Sequence, residues 1–306
     1  MKLSLALIIA ALMSMNMNYQ GTTDKQKIND QRRKVLLSFG IVTDVQYCDC
    51  QPEETRYYRS STGKLREAMN AFRSDSVNFV VNLGDLIDRD YESYKPVMDI
   101  LDSSGLKIYH LTGNHDYSVD PRYKKRLPLP QPSREGYYSF VISHFRFIAL
   151  NGNEVSTYAS TNKLQIKQAE EYISLLRDSG RLNAFDWNGG VSVKQLGWLK
   201  DQLDESVSKN EKVFILCHFP LFPEGTHNLL NYNDVLFLLG NYHNIIACFS
   251  GHDHSGGYGN FNMIHFVTIK GMVETENTGS YARVDVYGNK IWITGSGREK
   301  SQILAY

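Results

Sequence analysis

A chain of 306 residues is long enough for one large α/β domain or two small ones, and an apolar content of 42% can bury a sizeable core. Its 33 basic side chains balance 33 acidic ones, so the net charge is zero. With no charge run, no internal repeat and no low-complexity tract, the composition argues against nucleic acid or an anionic membrane surface as partner.

The chain begins MKLSLALIIAALMSM, one Lys followed by an apolar run from Leu3 to Met13. That run is too short to span a bilayer and suits the apolar region of a signal peptide. The single Lys and the poor cleavage site argue the other way, for a frayed or buried helix. Residues 1–20 are read as an export signal, which would place the protein in the periplasm or outside the cell; if the segment is not a signal, the protein is expected in the cytoplasm. Residues 21–34 are polar and read as a linker, and 35–306 as one domain. No stable membrane span is expected, and the protein is expected to be a monomer.

Within that domain, apolar β-rich runs alternate with segments of helical periodicity. Strands are predicted at 36–43, 77–83, 107–111, 213–217 and 245–249, and helices at 63–72, 91–101, 162–177, 192–207 and 233–239. Residues 138–142 and 145–150 read as a hairpin. The C-terminal part is strand-rich, with 264–269, 281–286 and 290–294, the last two joined at Tyr287–Gly288–Asn289. Alternation predicts a buried sheet with helices outside, and the extra β segments predict a second sheet packed on the first. Of the four cysteines, Cys217 and Cys248 end apolar runs and read as core residues. Cys48 and Cys50 lack the Cys-x-x-Cys spacing of a structural zinc site, and the even cysteine count permits a disulfide without assigning one.

The chemistry lies after the strands. The first predicted strand is followed by Asp44 and Gln46, the second by Asp85 and Asp88, the third by Asn114, His115 and Asp116. His218 follows the 213–217 strand, and His252 and His254 follow 245–249. Any one of these has a bland reading: a solvated loop carboxylate, a turn, a satisfied histidine. In open α/β sheets, however, ligand sites lie outside the carboxyl ends of the strands, so five strands deliver their polar residues to one crevice. Alternate residues of an extended segment share a face, so Asp44 with Gln46, and His252 with His254, can each aim two donors together. Glycines at 84, 113 and 251 permit tight turns and close approach to a ligand.

In GIVTDVQ, GDLID, GNHD, His218 and GHDH, taken in this order, the sequence resembles the calcineurin-like metallophosphoesterase superfamily. The resemblance implies a four-layered α-β-β-α sandwich holding two divalent metal ions at the strand ends. On the family's pattern Asp44, Gln46, Asp85 and His254 surround one ion, and Asp85, Asn114, His218 and His252 the other, with Asp85 shared. The family more often has His at position 46. A neutral amide oxygen there favours Mn²⁺ or Mg²⁺ over Zn²⁺ or Fe²⁺. The start Asp-x-Gln-Tyr, RYYR (56–59), WNGGVSVKQLGWL (187–199), GHDHSGGY and IKGMVET (269–275) are similar to the manganese-dependent ADP-ribose/CDP-alcohol diphosphatases. Arg89 departs from that pattern and matches a phosphate-binding Arg of protein phosphatases.

The resemblance implies hydrolysis of the diphosphate bond of ADP-ribose, CDP-alcohols or similar nucleotides by a hydroxide held between ions about 3.5–4 Å apart. His115 is expected to serve the leaving oxygen, with Asp88 orienting the imidazole and raising its pKa. Asp116 is expected to be a turn residue. Tyr57, Tyr58, Trp187, Tyr232 and Tyr258 are expected to offer stacking faces to the base and Arg56, Arg59 and Arg89 to hold the second phosphate, with Asn188, Gly189 and Gly190 in a backbone-exposing turn and Asn231 in the loop after the His218 strand completing the substrate pocket. Two alternatives stand beside this reading: a phosphomonoesterase or cyclic-nucleotide phosphodiesterase of the same superfamily, which Arg89 favours, and a non-catalytic scaffold on the same fold, which the full set of donors disfavours.

Overall fold

The computed structural model describes residues 34–306, so the segment read as an export signal, and the segment read as a linker up to residue 33, lie outside the described residues. Twelve strands form two six-stranded sheets. The first runs β12-β11-β10-β1-β2-β3, where β1 is Leu37–Val42, β2 Phe79–Asn82, β3 Ile108–His110, β10 Ser280–Val286, β11 Lys290–Gly297 and β12 Gln302–Ala305. The second runs β4-β5-β6-β7-β9-β8, with β4 Tyr138–Ile142, β5 Phe145–Ala149, β6 Lys212–Leu216, β7 Ile245–Ser250, β8 Gly257–Phe261 and β9 Ile264–Thr268. The chain crosses between β1, β2 and β3 through helices, and these strands are parallel, as are β5, β6, β7 and β9. Hairpin strands extend both sheets antiparallel.

Alternation decides which face each residue takes. Phe39, Phe79, Phe147, Phe214 and Phe249 project between the sheets and are fully buried. Phe39 stacks on Phe79 at 5.2 Å and meets Phe147 edge-on at 5.3 Å. The opposite faces take the helices. Helix α1 (Ser61–Ser74) and helix α2 (Tyr94–Ser103) set Leu65, Phe72, Val97 and Leu101 against Val42 and Val80 of the first sheet. Helix α4 (Val193–Ser208) and helix α5 (Tyr232–Leu239) set Leu199, Leu203 and Val235 against Ile148 and Ile215 of the second. Helix α3 (Lys163–Asp178) packs its own small cluster against Val155 and Leu230. The result is an α-β-β-α sandwich. Among the described residues, no helix is long and apolar enough to cross a membrane.

Two strands have no counterpart in the sequence reading. In β8, GYGNF carries two glycines and no apolar alternation, and in β12 Ile303 is 57% exposed. Both are edge strands, specified by backbone pairing with a neighbour already in place rather than by burial. The disulfide that the sequence left open is present: Cys48 is bonded to Cys50, with Cα atoms 5.2 Å apart, within the ordinary disulfide range. The bend after Gln46 brings the two thiols together, and Cys48 is buried beside Tyr58 and Val273. Cys217 and Cys248 are free and buried.

Candidate active site

Asp44, Gln46, Asp85 and His252 have φ of 51°, 44°, 56° and 65°, in the left-handed region that disfavours side chains with a Cβ. Such positions cost about 1–3 kcal/mol each and persist only where the surroundings over-determine them. Here the loops after β1 and β2 hold one another. Asp44 N–H donates to Gly84 O at 3.0 Å, Gln46 N–H to Asp85 O at 2.9 Å, and Val273 N–H to Asp44 O at 2.9 Å. The turns aim all four side chains into the crevice between the sheets.

Asp85 lies at its centre. Its Oδ2 is 3.4 Å from His218 Nε2 and 3.3 Å from Gln46 Nε2, and its Oδ1 accepts the His115 backbone N–H at 2.8 Å. His254 Nε2 is 3.4 Å from Asp44 Oδ1 and 3.2 Å from the Gln46 amide. Ligand atoms of Asp85, His218 and His252 lie within 4.8 Å of one another, all three side chains buried. Burial pushes the Asp85 carboxyl up, but His218 and His115 outweigh it and hold it well below the usual carboxylate range. Burial pushes His218 and His254 down, but carboxylates outweigh it: Asp85 raises His218 to about 9, and Asp44 and Glu274 raise His254 to about 9.

Each imidazole has one nitrogen engaged and the other turned inward. His218 Nδ1–H donates to Leu83 O at 3.0 Å. His252 Nε2–H donates to Asn188 Oδ1 at 3.0 Å, and His254 Nδ1–H to Glu274 Oε1 at 2.8 Å. This turns His218 Nε2, His252 Nδ1 and His254 Nε2 toward the centre, the orientation a metal ligand requires, where a bound cation would take the place of any proton on those atoms. Asp116 lies on the 3₁₀ turn His115–Tyr117. It is fully buried and accepts the backbone N–H groups of Asp85, Leu86 and Gly113 and the Tyr94 hydroxyl, tying the β2 loop to the β3 loop. Gly113 has to be glycine, since a Cβ there would stand 2.1 Å from Asp85 Oδ1.

Three buried atoms of this cluster have no hydrogen-bond partner: Gln46 Oε1, Asn114 Oδ1 and His218 Nε2. Orphaned polar atoms in a buried site are costly, and they fall on residues expected to bind metal. Two buried carboxylates, two amides and three inward-facing imidazoles therefore fit a pair of divalent cations. The mixed oxygen and nitrogen set suits hard to borderline ions.

His115 sits at the rim on a 3₁₀ turn, His115–Tyr117. Its Nδ1 is 3.0 Å from Asp88 Oδ1, which leaves Nε2 free toward the cavity. Burial opposes a charge on His115, but Asp85 and Asp88 outweigh it and raise its pKa. Asp88 also accepts Arg89 Nε at 2.5 Å. The cavity in front of the donors measures about 400 Å³ and is lined by Gln46, Arg56, Asn114, His115, Trp187, His227, His252 and His254.

With the donors disposed in this way, comparison with known proteins is direct. The profile of the calcineurin-like phosphoesterases matches residues 37–256. The chain belongs to that family. It is 30% identical over 303 residues to a manganese-dependent ADP-ribose/CDP-alcohol diphosphatase of Arabidopsis thaliana, covering 88% of this chain and 97% of the relative. It is 30% identical over 321 residues to the protein of that name in Homo sapiens, covering 89% and 93%. A dimetal phosphatase from Danio rerio superposes with a TM-score of 0.81 at 27% identity, covering 89% of this chain and all of that one. A purple acid phosphatase from yellow lupin seeds shares the fold alone, with a TM-score of 0.56 at 12% identity, over 88% of this chain and 52% of that one. As a calcineurin-like phosphoesterase with a dinuclear type of donor set, the protein is a metal-dependent hydrolase.

The expected nucleotide contacts divide. Arg56 and Trp187 line the cavity of this phosphoesterase. Asn188 is fully buried and its oxygen serves His252, so it supports the donor set. Gly189 packs against the Gly152 carbonyl, where a Cβ would be 2.2 Å from the oxygen. Gly190 and Asn231 form part of the same packed turn, with Asn231 Oδ1 accepting the Val191 N–H. The structure does not bring the others to the cavity. Arg59 pairs with Asp49 on the surface, and Tyr57 is half-buried with its N–H on Val273 O. Tyr232 is buried in the outer core beside Arg181, and Tyr258 lies on edge strand β8 with its hydroxyl 3.0 Å from His265 Nδ1. Tyr58 is buried under Arg89, and Arg89 is engaged by Asp88, so the residue that favoured a monoesterase does not line the cavity. Glu274 and His227 carry no local signal that marks them. Glu274 lies within IKGMVET, and only the approach of that segment to β7 sets it on His254.

Proposed function

We propose that this phosphoesterase uses Mn²⁺ to hydrolyse the diphosphate bond of ADP-ribose, CDP-alcohols or similar nucleoside diphosphate derivatives. The observation that carries the reading is the set of inward-facing donor side chains at five strand ends, three of their buried atoms without a hydrogen-bond partner, in a chain similar along its length to diphosphatases of that name. Asp44, Gln46, Asp85 and His254 would hold one cation and Asp85, Asn114, His218 and His252 the other. When bound, the pair would supply positive charge for the phosphoryl oxygens and lower the pKa of a water toward neutrality. Asp85 would be the carboxylate common to both groups of donors, and Glu274, Asn188 and the Leu83 carbonyl hold the outer nitrogen of each imidazole. His115, whose charged form Asp85 and Asp88 favour against burial, presents Nε2–H to the leaving oxygen and donates its proton as the bond breaks. Asp88 orients that ring, and Arg89 holds Asp88 ionised. Arg56 contributes charge to the cavity, and Trp187, stacked on Phe185 at 4.1 Å and 41% exposed, offers a flat face to a base. The proposal includes a monomeric enzyme and export directed by residues 1–20, which light scattering and N-terminal sequencing of protein from its host would test.

The deciding experiment strips the protein of metal, reloads it with Mn²⁺ and offers a panel of nucleoside diphosphate derivatives beside an aryl phosphate. Release of two phosphomonoesters from ADP-ribose or a CDP-alcohol, with kcat/KM well above that for the aryl phosphate, is expected. Preference for the aryl phosphate would replace the proposal with a monoesterase.

A further inference from the structure

We propose that His227 is a substrate-binding residue that, with Arg56, takes the second phosphoryl group of a diphosphate and so sets the preference for diphosphates over monoesters. This rests on the hydrolase reading above and extends it. Of the residues lining the cavity, Gln46, Asn114, His252 and His254 belong to the donor set, and His115 faces the leaving oxygen. Arg56, Trp187 and His227 remain. A monoester presents a single charged phosphoryl group, which the donor face meets. A diphosphate brings a second charged group into the same cavity. That charge needs N–H donors, and beside the single indole N–H of Trp187, whose flat face is assigned to the base, Arg56 and His227 supply them from the remaining wall.

His227 is held in place rather than swinging at the surface. Its ring stands edge-on to His252 with centroids 5.2 Å apart. The Nδ1 edge is engaged by Thr226 Oγ1 at 3.1 Å, while Asp253 at 3.8 Å is beyond hydrogen-bond reach. Nε2 is thereby left for the cavity. The loop is pinned from below by Asn188, whose oxygen accepts from His252 and whose Nδ2 donates to Thr226 O at 2.8 Å. One buried amide thus sets the spacing between the donor His252 and the neighbouring His227. Asn228, next in the chain, is buried and donates to Pro223 O at 3.0 Å, fixing the other side of the loop. A site positioned this firmly suits recognition of one group at a set distance from the reacting phosphorus.

The test compares His227→Leu and His227→Gln with the parent, each loaded with Mn²⁺ and checked for metal content. Steady-state kinetics are read on ADP-ribose and on p-nitrophenyl phosphate. In a second arm, ADP and inorganic phosphate are titrated as inhibitors of p-nitrophenyl phosphate hydrolysis. For His227→Leu the loss of kcat/KM on ADP-ribose should exceed that on the aryl phosphate by about tenfold, mainly through KM, as removal of one hydrogen bond to a charged group predicts. The inhibition constant for ADP should rise several-fold more than that for phosphate, and His227→Gln should recover part of both. Equal losses on both substrates with reduced metal content would assign His227 to the support of His252 and overturn the proposal. Unchanged selectivity in both arms would overturn it as well. If the parent cleaves no diphosphate, the functional reading fails, while the ADP arm still decides whether His227 meets a second phosphoryl group.

Discussion

At the scale of single residues, the centre is governed by what lies behind the donors. Glu274 is pulled down to about 2, first by the hydrogen bond from His254, so it is a full carboxylate at neutral pH. It fixes the proton of His254 on Nδ1 and makes Nε2 a better donor to a cation. Glu274→Gln keeps the size of the side chain but removes its charge. Mn²⁺ affinity should fall about 10–100-fold with little change in circular dichroism. Isothermal titration of metal-stripped protein measures it, and parental affinity would show that His254 needs no carboxylate behind it. Asp85→Asn removes the carboxylate at the centre of both donor groups. At least one of two bound Mn²⁺ ions should be lost, with a fall in kcat of several orders of magnitude; mass spectrometry of the metal and turnover read this together.

At the scale of elements, the site is a property of strand ends. Each donor follows the last paired residue of a parallel strand, where the ladder stops and backbone groups become free to pair with a neighbouring loop. The turns are held by cross-loop hydrogen bonds, by Asp116 and by the close approach of glycines, so their strain is supported from several directions. The helices tolerate change by comparison. Gly197 lies inside α4 on its exposed side, and a Cβ there meets nothing within 4 Å. Gly197→Ala should stabilise the protein by about 0.5–1 kcal/mol and leave kcat unchanged. Thermal unfolding reads the gain; a lower melting temperature would mean that α4 is not helical at this point.

At the scale of the whole molecule, two sheets converge on one crevice, so the core between them sets the distance between donors. Phe39 touches rings from both sheets and lies five residues before Asp44. Phe39→Ala should cost about 3–5 kcal/mol of stability. It should also weaken metal binding, because the crevice loses its spacer; chemical denaturation with and without Mn²⁺ separates the two effects. The core carries an acid liability too. Burial alone depresses His110, at the end of β3, from 6.5 to about 4. Between those values the unfolded chain takes a proton that the folded chain refuses. Stability is therefore fully present above about pH 6.5 and is lost as pH falls toward 4, by about 3 kcal/mol. In metal-stripped protein, His110→Gln should flatten this part of the stability–pH curve relative to the parent; superimposable slopes would show that His110 protonates without penalty in the fold.

What the sequence by itself determined was the alternation of strands and helices, the residue types after each strand and their order. These are local properties: burial periodicity marks the strands, and a polar residue directly after an apolar run announces the end of one. The four layers, and Asp44, Gln46, Asp85, Asn114, His218, His252 and His254 as candidate donors, were legible on that basis together with a family resemblance carried by short motifs. Only the tertiary structure decided what surrounds them. Glu274 and Asn188 reach His254 and His252 from segments 20 and 64 residues away in the chain. His227 joins the cavity wall through the Asn188 clamp, while Tyr232, Tyr258 and Arg59 turn to other partners. An aromatic or basic residue has the same local preferences in a core, on an edge strand or in a pocket. Its role is set by which distant segment packs beside it, and that choice belongs to the global minimum of burial and hydrogen bonding rather than to any window of sequence.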